Sequence, residues 1–365
     1  MNAVFVTNFM NHHQKPLWDE FIKYFGDFKI VAYSDVPKEQ RDLGYHTYDL
    51  PYLIQYTDAN AETVDRMILD ADVVIFGTKP QPLFQKRLMS DKMNFIFSER
   101  LFKKRANALL HRIKLIRLRK KYLPNKRNIP VLLCAGAYVE NDFAAFGYPA
   151  RTALKWGYFP EISMKSAEEL RQNKSEKFTL LWVGRFLDWK HPERAVEIAA
   201  HLKSMQADFH LKMIGSGEMF DEIEAMIRER KLNDVVEMTG ARTPEEVKAE
   251  MEKAHVFLMT SDRQEGWGAV VNEAMSCACT VLATAEPGCI PYLIKSGVNG
   301  MVVDAAKLPE TAYALLQDPS ACSAMGGRAF ETIHNEWNGV VAAKRLAEYI
   351  HSKTVYEDGP LSYNS

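Results

Sequence analysis

Short apolar runs rich in β-formers alternate with helix-period segments along the whole chain. This alternation is what most constrains the fold. Strands are predicted over 3–7, 29–33, 72–76, 94–97 and 130–134, then over 179–183, 210–214, 235–238, 256–259 and 280–283. Runs bounded by helical segments, with little polar alternation, read as strands buried on both faces of a parallel sheet. Two successive sets of βα units predict an α/β chain of two doubly wound, Rossmann-like domains. The 365 residues suit two domains of ordinary size. The boundary falls near 156–174, where W-G-Y-F-P-E gives way to a polar, helix-like stretch. The predicted layout is a first domain over 1–160, a second over 175–338, and a terminal helix and tail over 339–365 that return to the first domain. The last helix is expected over 340–352 and a frayed tail from about 358.

Charge divides the same way. Residues 1–160 carry a net charge of +8 and the remainder −9, although the whole chain is at −1. A basic first half points to a negatively charged surface or partner there. The near-neutral total argues against nucleic acid as the partner. No apolar run approaches the roughly 18–20 residues of a membrane span. The start of the chain reads as a strand, with no basic leader. Five cysteines, Cys134, Cys277, Cys279, Cys289 and Cys322, fit no disulfide or zinc spacing. Buried free thiols and a reducing, cytoplasmic compartment are expected.

Ligands of open α/β sheets sit beyond the carboxyl ends of the strands, and two such domains facing each other make a cleft. The residues just after each strand are therefore the ones to read. Strand 179–183 is followed by Gly184 and Arg185, with Lys190 five residues on, before a helix. A guanidinium fork and an ammonium point charge there suit a diphosphate. Strand 210–214 runs into Gly215-Ser216-Gly217, a turn that lets backbone approach a ligand. After strand 256–259 comes T-S-D-R-Q-E-G-W-G-A-V-V-N-E, residues 260–273. Glu265 stands at the turn, Gly266 and Gly268 relieve the backbone, and the helix that follows offers its free N–H groups to an anion. Glu273, about two helical turns past Glu265, is expected to face the same ligand. Paired carboxylates suit sugar hydroxyls.

Residues 178–304 resemble the donor-binding domain of the retaining glycosyltransferases of family 4, of GT-B fold. The matching pieces are V-G-R-F-L-D-W-K, I-G-S-G-E, E-G-W-G…E, and S-G-V-N-G at 296–300. The resemblance implies that Arg185 and Lys190 bind the donor diphosphate and stabilise the leaving group. Glu265 would contact the donor sugar's hydroxyls and Glu273 the ribose. Gly215, Gly217, Gly266, Trp267 and Gly268 would line the donor, and Arg242 would border the base. It implies no metal and no cofactor beyond the nucleotide-sugar substrate, with UDP as the habitual nucleotide. One departure is legible: this chain has Pro291-Tyr292 where many relatives have Pro-Glu.

In the first half, strand 3–7 leads into N-F-M-N-H-H-Q-K-P, residues 8–16. Asn11, His12 and His13 are acceptor-side candidates, because a neutral imidazole can bond or deprotonate an incoming hydroxyl. The alternative is a polar surface loop. Glu99 and Arg100, after strand 94–97, either contact acceptor or pair with each other. Residues 100–127 then hold twelve Lys/Arg and no acid. Phe102, Ala106, Leu109, Ile113 and Ile116 recur at helical spacing, which predicts an amphipathic basic helix. Lys103, Lys104, Arg105, Arg112, Lys114 and Arg117 would face the anionic headgroups of a bilayer. The alternatives are packing on the sheet with the lysines wet, or a nucleic-acid groove.

The expected activity is transfer of a sugar, with retention, from a UDP-sugar to a hydroxyl of a glycan or lipid-linked glycan. The expected setting is the inner face of the cell membrane, in making a cell-surface polysaccharide or glycolipid. A sugar-nucleotide epimerase of the same shape and a non-catalytic nucleotide-sugar binder are the rival readings.

Overall fold

Every strand ladder in the computed structural model is parallel among the described residues, which are 1–41, 47–103, 108–125 and 128–364. Two compact units result. One is Met1–Pro160 with Gly339–Ser365, the other Glu161–Asn338.

The first unit holds β1 (Asn2–Thr7), β2 (Asp27–Ala32), β3 (Leu53–Gln55), β4 (Val73–Phe76), β5 (Met93–Ser98), β6 (Val131–Ala135) and β7 (Ala153–Trp156). Their order is β3-β2-β1-β4-β5-β6-β7. The second holds β8 (Phe178–Val183), β9 (Phe209–Ile214), β10 (Val236–Met238), β11 (Val256–Met259), β12 (Thr280–Ala283) and β13 (Gly300–Val302), in the order β10-β9-β8-β11-β12-β13. In both sheets the order reverses once, between β1 and β4 and between β8 and β11. β4, β11 and β12 are buried at every position, as strands covered by helices on both faces must be. β3, β7 and β13 were not among the predicted strands.

The stretch 161–174 is no free connection. Ser166 and Glu169 form a capping box that starts the helix Ala167–Gln172. Lys174 then ties the segment down, donating to the carbonyls of Ala254 (2.6 Å) and Cys277 (2.9 Å). The second unit thus begins at Glu161, before the expected start at 175.

The last helix, Gly339–Ser352, lies in the first unit against the helix Lys15–Phe21. Gly339 permits the approach: a Cβ there would stand 2.7 Å from the Leu17 nitrogen. The tail beyond is packed through Ser362, contrary to the expected fraying. Lys155 of the edge strand β7 donates to the Ser362 carbonyl (2.8 Å), and Leu361 donates back to Lys155 (2.9 Å). Leu361 and Ser362 are fully buried. The tail covers a sheet edge that would otherwise expose unpaired backbone groups.

All five cysteines are free and buried. Burial pushes their thiols up, Cys277 to about 12 and Cys322 to about 11. They are inert packing groups.

The basic segment is helical over Ala108–Tyr122. Its packed side is not the expected one. Leu115, Leu118 and Tyr122 meet the core of the first unit, whereas Ile113 and Ile116 are 41% and 70% exposed. Of the pattern from Phe102 to Ile116, Ala106 and the Leu109 side chain lie outside the described residues, and Ile113 and Ile116 mark no buried face. Arg112, Lys114 and Arg117 are exposed beside the two isoleucines. Lys103 is half-buried and pairs with Glu99 at 2.8 Å. Lys104, Arg105 and Ala106 lie outside the described residues.

Candidate functional site

The two strongest sequence motifs flank the reversal of strand order in the second unit. Gly184–Lys190 follows β8, and Thr260–Gly268 follows β11, the neighbouring strand. This is the position at which an open α/β sheet takes its ligand.

Lys190 and Glu265 meet there. The Lys190 ammonium donates to Glu265 Oε2, and Ser261 Oγ donates to the same oxygen at 3.2 Å. Their side chains are only 14% and 12% exposed, so little water competes with the pair. The Lys190 ammonium also lies over the Trp189 ring, 4.7 Å from its centroid. Arg185 is exposed, with no polar partner for its guanidinium among the described residues. The helix Ala269–Ser276 starts just past the Glu265 turn, with Gly268 at its N-cap at φ +100°. A Cβ at Gly268 would reach 2.8 Å from Met259 Cε. The sharp turn aims the helix's first N–H groups and their partial positive charge out of the sheet edge.

Thr260, Ser261 and Arg194 hold this arrangement, and the sequence reading named none of them as functional. Thr260 is buried. Its hydroxyl accepts from Trp182 Nε1 (2.9 Å) and donates to the Lys190 carbonyl (2.7 Å). Arg194 Nη1 donates to the Thr260 carbonyl at 2.9 Å. One hydroxyl thus links β8, the Lys190 loop and the end of β11. His191, at φ +51°, bends the chain between Lys190 and the next helix, its Nδ1 2.6 Å from Glu193 Oε1.

Residues 165–332 match the family model described as "Glycosyl transferases group 1". The second unit is a group 1 glycosyl transferase domain. Its relatives include the amylovoran biosynthesis glycosyltransferase AmsK of Erwinia amylovora, 27% identical over 221 residues, covering 58% of this chain and 53% of AmsK. The alpha-D-kanosaminyltransferase of Streptomyces kanamyceticus is 29% identical over 192 residues, 50% of this chain and 49% of that one. The chain spans about half the length of the curated relatives it matches. Among solved structures, Anabaena HepE in complex with UDP gives a TM-score of 0.70 at 16% identity, covering 96% of this chain and all of the other. WaaG, a glycosyltransferase involved in lipopolysaccharide biosynthesis, gives 0.65 at 17% identity over 96% of this chain. The fold is that of the GT-B glycosyltransferases.

Within the glycosyl transferase domain, several of the expected donor-lining residues also have packing roles. Trp267 is buried, its indole N–H held by Asn272 Oδ1 (2.9 Å) and its ring packed near Tyr292 and Trp337. Its side chain belongs to the packing and offers no ligand surface. Gly215 and Gly217 are demanded by the neighbouring loop: a Cβ would stand 1.9 Å from the Gly184 carbonyl oxygen and 2.5 Å from that of Phe186. Their smallness seats the Gly215–Gly217 turn on the Gly184–Phe186 loop. Glu265 is not on the helix that carries Glu273, so the two acids are not related by helical turns. Glu273 is half-exposed in that helix, and Gly266 is buried in the turn. Arg242 is exposed and borders a recess of about 340 Å³, shared with Lys212, Ile214, Thr239 and Glu246.

In the first unit the loop after β1 makes a short 3-10 turn, His12–Gln14. Asn11 caps it, its side chain accepting from the His13 N–H at 3.0 Å. The two imidazoles lie 3.7 Å apart, both half-buried. At the end of β5, Glu99 accepts from the Tyr158 hydroxyl (3.0 Å) and from Lys103 (2.8 Å). Arg100 lies over the Tyr138 ring at 4.8 Å. The loops after β5, β6 and β7 are thus joined at one sheet edge.

Proposed function

We propose that the chain is a retaining glycosyltransferase. It moves a sugar from a nucleoside diphosphate sugar, a UDP-sugar, to an acceptor hydroxyl during assembly of a surface polysaccharide or glycolipid. The observation that carries this reading is the convergence of Lys190 and Glu265 at the strand-order reversal, beside an open helix start. One cation and one helix terminus suit a diphosphate, and a carboxylate suits the hydroxyls of its sugar.

Lys190 and the unpartnered Arg185 stabilise negative charge as it develops on the departing nucleoside diphosphate. Glu265 exchanges its bond to Lys190 for the hydroxyls of the sugar, and Glu273 accepts from the ribose. Arg242 and its recess take the base. The acceptor attacks from the side of the leaving group, so no enzymic nucleophile is needed, and neither is a metal. Relatives named for amylovoran and lipopolysaccharide synthesis, and HepE with UDP, support the substrate class.

The helix Ala108–Tyr122 favours an acceptor held at a membrane. Exposed Ile113 and Ile116 amid Arg112, Lys114 and Arg117 form a small apolar wedge in a cationic face. No helix among the described residues is long and apolar enough to cross a bilayer.

A turnover assay tests the reading. Lys190→Ala should lower kcat by about 100-fold or more, as loss of one transition-state donor does. Glu265→Ala should be as damaging with the fold intact by circular dichroism. Undiminished transfer by either variant would overturn these assignments.

A further inference from the structure

His191 breaks two local rules at once. It stands just before the helix Pro192–Ser204, where a serine, threonine, asparagine or aspartate would cap the helix, and its own side chain makes no capping bond. Its backbone is also left-handed, at φ +51° and ψ +55°, a conformation that glycine or asparagine takes at less cost. Gln206, Lys231, Ala278 and Lys353 are left-handed too, but they follow the ends of α-helices, where such a residue closes the last turn. His191 closes only the three-residue turn Asp188–Lys190. A residue that violates both backbone and capping preference beside a ligand site is kept for what its side chain does.

That side chain lies between two carboxylates from two different segments. Nδ1 is 2.6 Å from Glu193 Oε1, in the first turn of the helix. Nε2 is 3.9 Å from Asp262 Oδ2, in the turn after β11. The three side chains are 24–26% exposed. A protonated imidazole offers an N–H from each nitrogen and so serves both acids. Asp262 in turn joins the two halves of the donor site. Its N–H donates to the Trp189 carbonyl (2.9 Å), and its carbonyl accepts from the Glu265 N–H (3.1 Å). Its Oδ1 accepts from the Gln264 N–H (2.7 Å). The segments that carry Lys190 and Glu265 therefore meet at Asp262, and His191, next to Lys190, braces that meeting point from the helix.

We propose that His191 is a positioning residue for the donor: its ring, held between Glu193 and Asp262, sets the Lys190 loop against the Glu265 turn so that the ammonium meets the diphosphate. It acts through Lys190, and the inference rests on the nucleotide-sugar reading of the second unit.

The test is a double-mutant cycle on UDP affinity, by titration calorimetry of the full chain. His191→Gly keeps the left-handed backbone and removes the ring, and thermal melting checks its fold. It should bind UDP about fivefold more weakly, within the range of coupling between neighbouring residues. In Lys190→Ala the same change should alter UDP affinity by less than about twofold, because the group it positions is gone. A residue that served folding alone would give one factor in both backgrounds. His191→Asn separates the ring from simple loosening of the loop. Asparagine takes the left-handed backbone without glycine's freedom, and its carboxamide ends one bond short of the Nε2 position. It should lose UDP affinity about as far as His191→Gly. Wild-type affinity in either variant, or equal losses with and without Lys190, overturns the proposal. The donor reading fails by a different pattern: no nucleotide bound by the wild type, or UDP bound equally by Lys190→Ala, sinks that reading and takes this inference with it.

Discussion

Lys190 and Glu265 hold each other's charge in a nearly closed site, so each is costly to remove alone. Lys190→Ala or Glu265→Ala should destabilise the fold by about 3–5 kcal/mol, because the remaining charge is left buried. The double variant should recover much of that loss, which a denaturant double-mutant cycle measures. Gly268→Ala should cost about 1–3 kcal/mol, since φ is +100° and a Cβ would strike Met259. A second residue sets the acid limb of stability. His255 Nδ1 accepts from the Thr179 N–H at 3.1 Å, and burial, helped by Lys174, holds its imidazole down at about 4 from an ordinary 6.5. The unfolded chain therefore binds the proton more tightly than the folded one. Stability from this group is complete above about 6.5 and declines as pH falls toward 4. Denaturant midpoints measured across that range should fall with acid in the wild type and flatten in His255→Gln. At this scale Arg185, Lys190 and Glu265 were legible because charge beside glycine after an apolar run has few uses. Thr260 was not, since its meaning comes from an indole and a carbonyl on other segments of the chain.

Elements carry the site through their ends. Thr260 follows β11, and its hydroxyl bonds both the Trp182 indole and the Lys190 carbonyl. Thr260→Val should leave an indole N–H and a carbonyl unpaired, costing about 1–3 kcal/mol and weakening donor binding. Thr260→Ser should restore both, and titration calorimetry with UDP separates the two variants. The helix Ala108–Tyr122 gives an independent prediction. Ile116→Glu should leave thermal stability within about 0.5 kcal/mol, as for an exposed site, and reduce binding to anionic vesicles at low salt. Equal binding by the variant would remove the wedge from the account. Ten strands were readable from apolar runs. β3, β7 and β13 were not: three or four residues flanked by proline, glycine or asparagine look like loops until a neighbour supplies the ladder. The basic helix shows the opposite failure. Its periodicity admitted two apolar stripes, and only the sheet beneath decides that Leu115 and Leu118 pack while Ile113 and Ile116 face out.

At the scale of the whole molecule, the doubly wound architecture and the two-domain division followed from the alternation of runs and from the charge asymmetry. The path of the last residues did not, because polar, glycine-containing tails look alike whether or not a sheet edge awaits them. Removing 359–365 should expose β7, lower the melting temperature and promote self-association through the bared edge, read by differential scanning calorimetry and light scattering. The account's central claim is that the strand-order reversal of the second unit binds a nucleoside diphosphate through Lys190. Calorimetric titration of UDP into the wild type and Lys190→Ala, with ADP and GDP alongside, tests it most directly. The account predicts saturable UDP binding that falls about tenfold or more without the lysine, since a charge-assisted hydrogen bond contributes about 1.5–3 kcal/mol. UDP binding of equal strength in Lys190→Ala, or no binding of any nucleotide to the wild type, would contradict it.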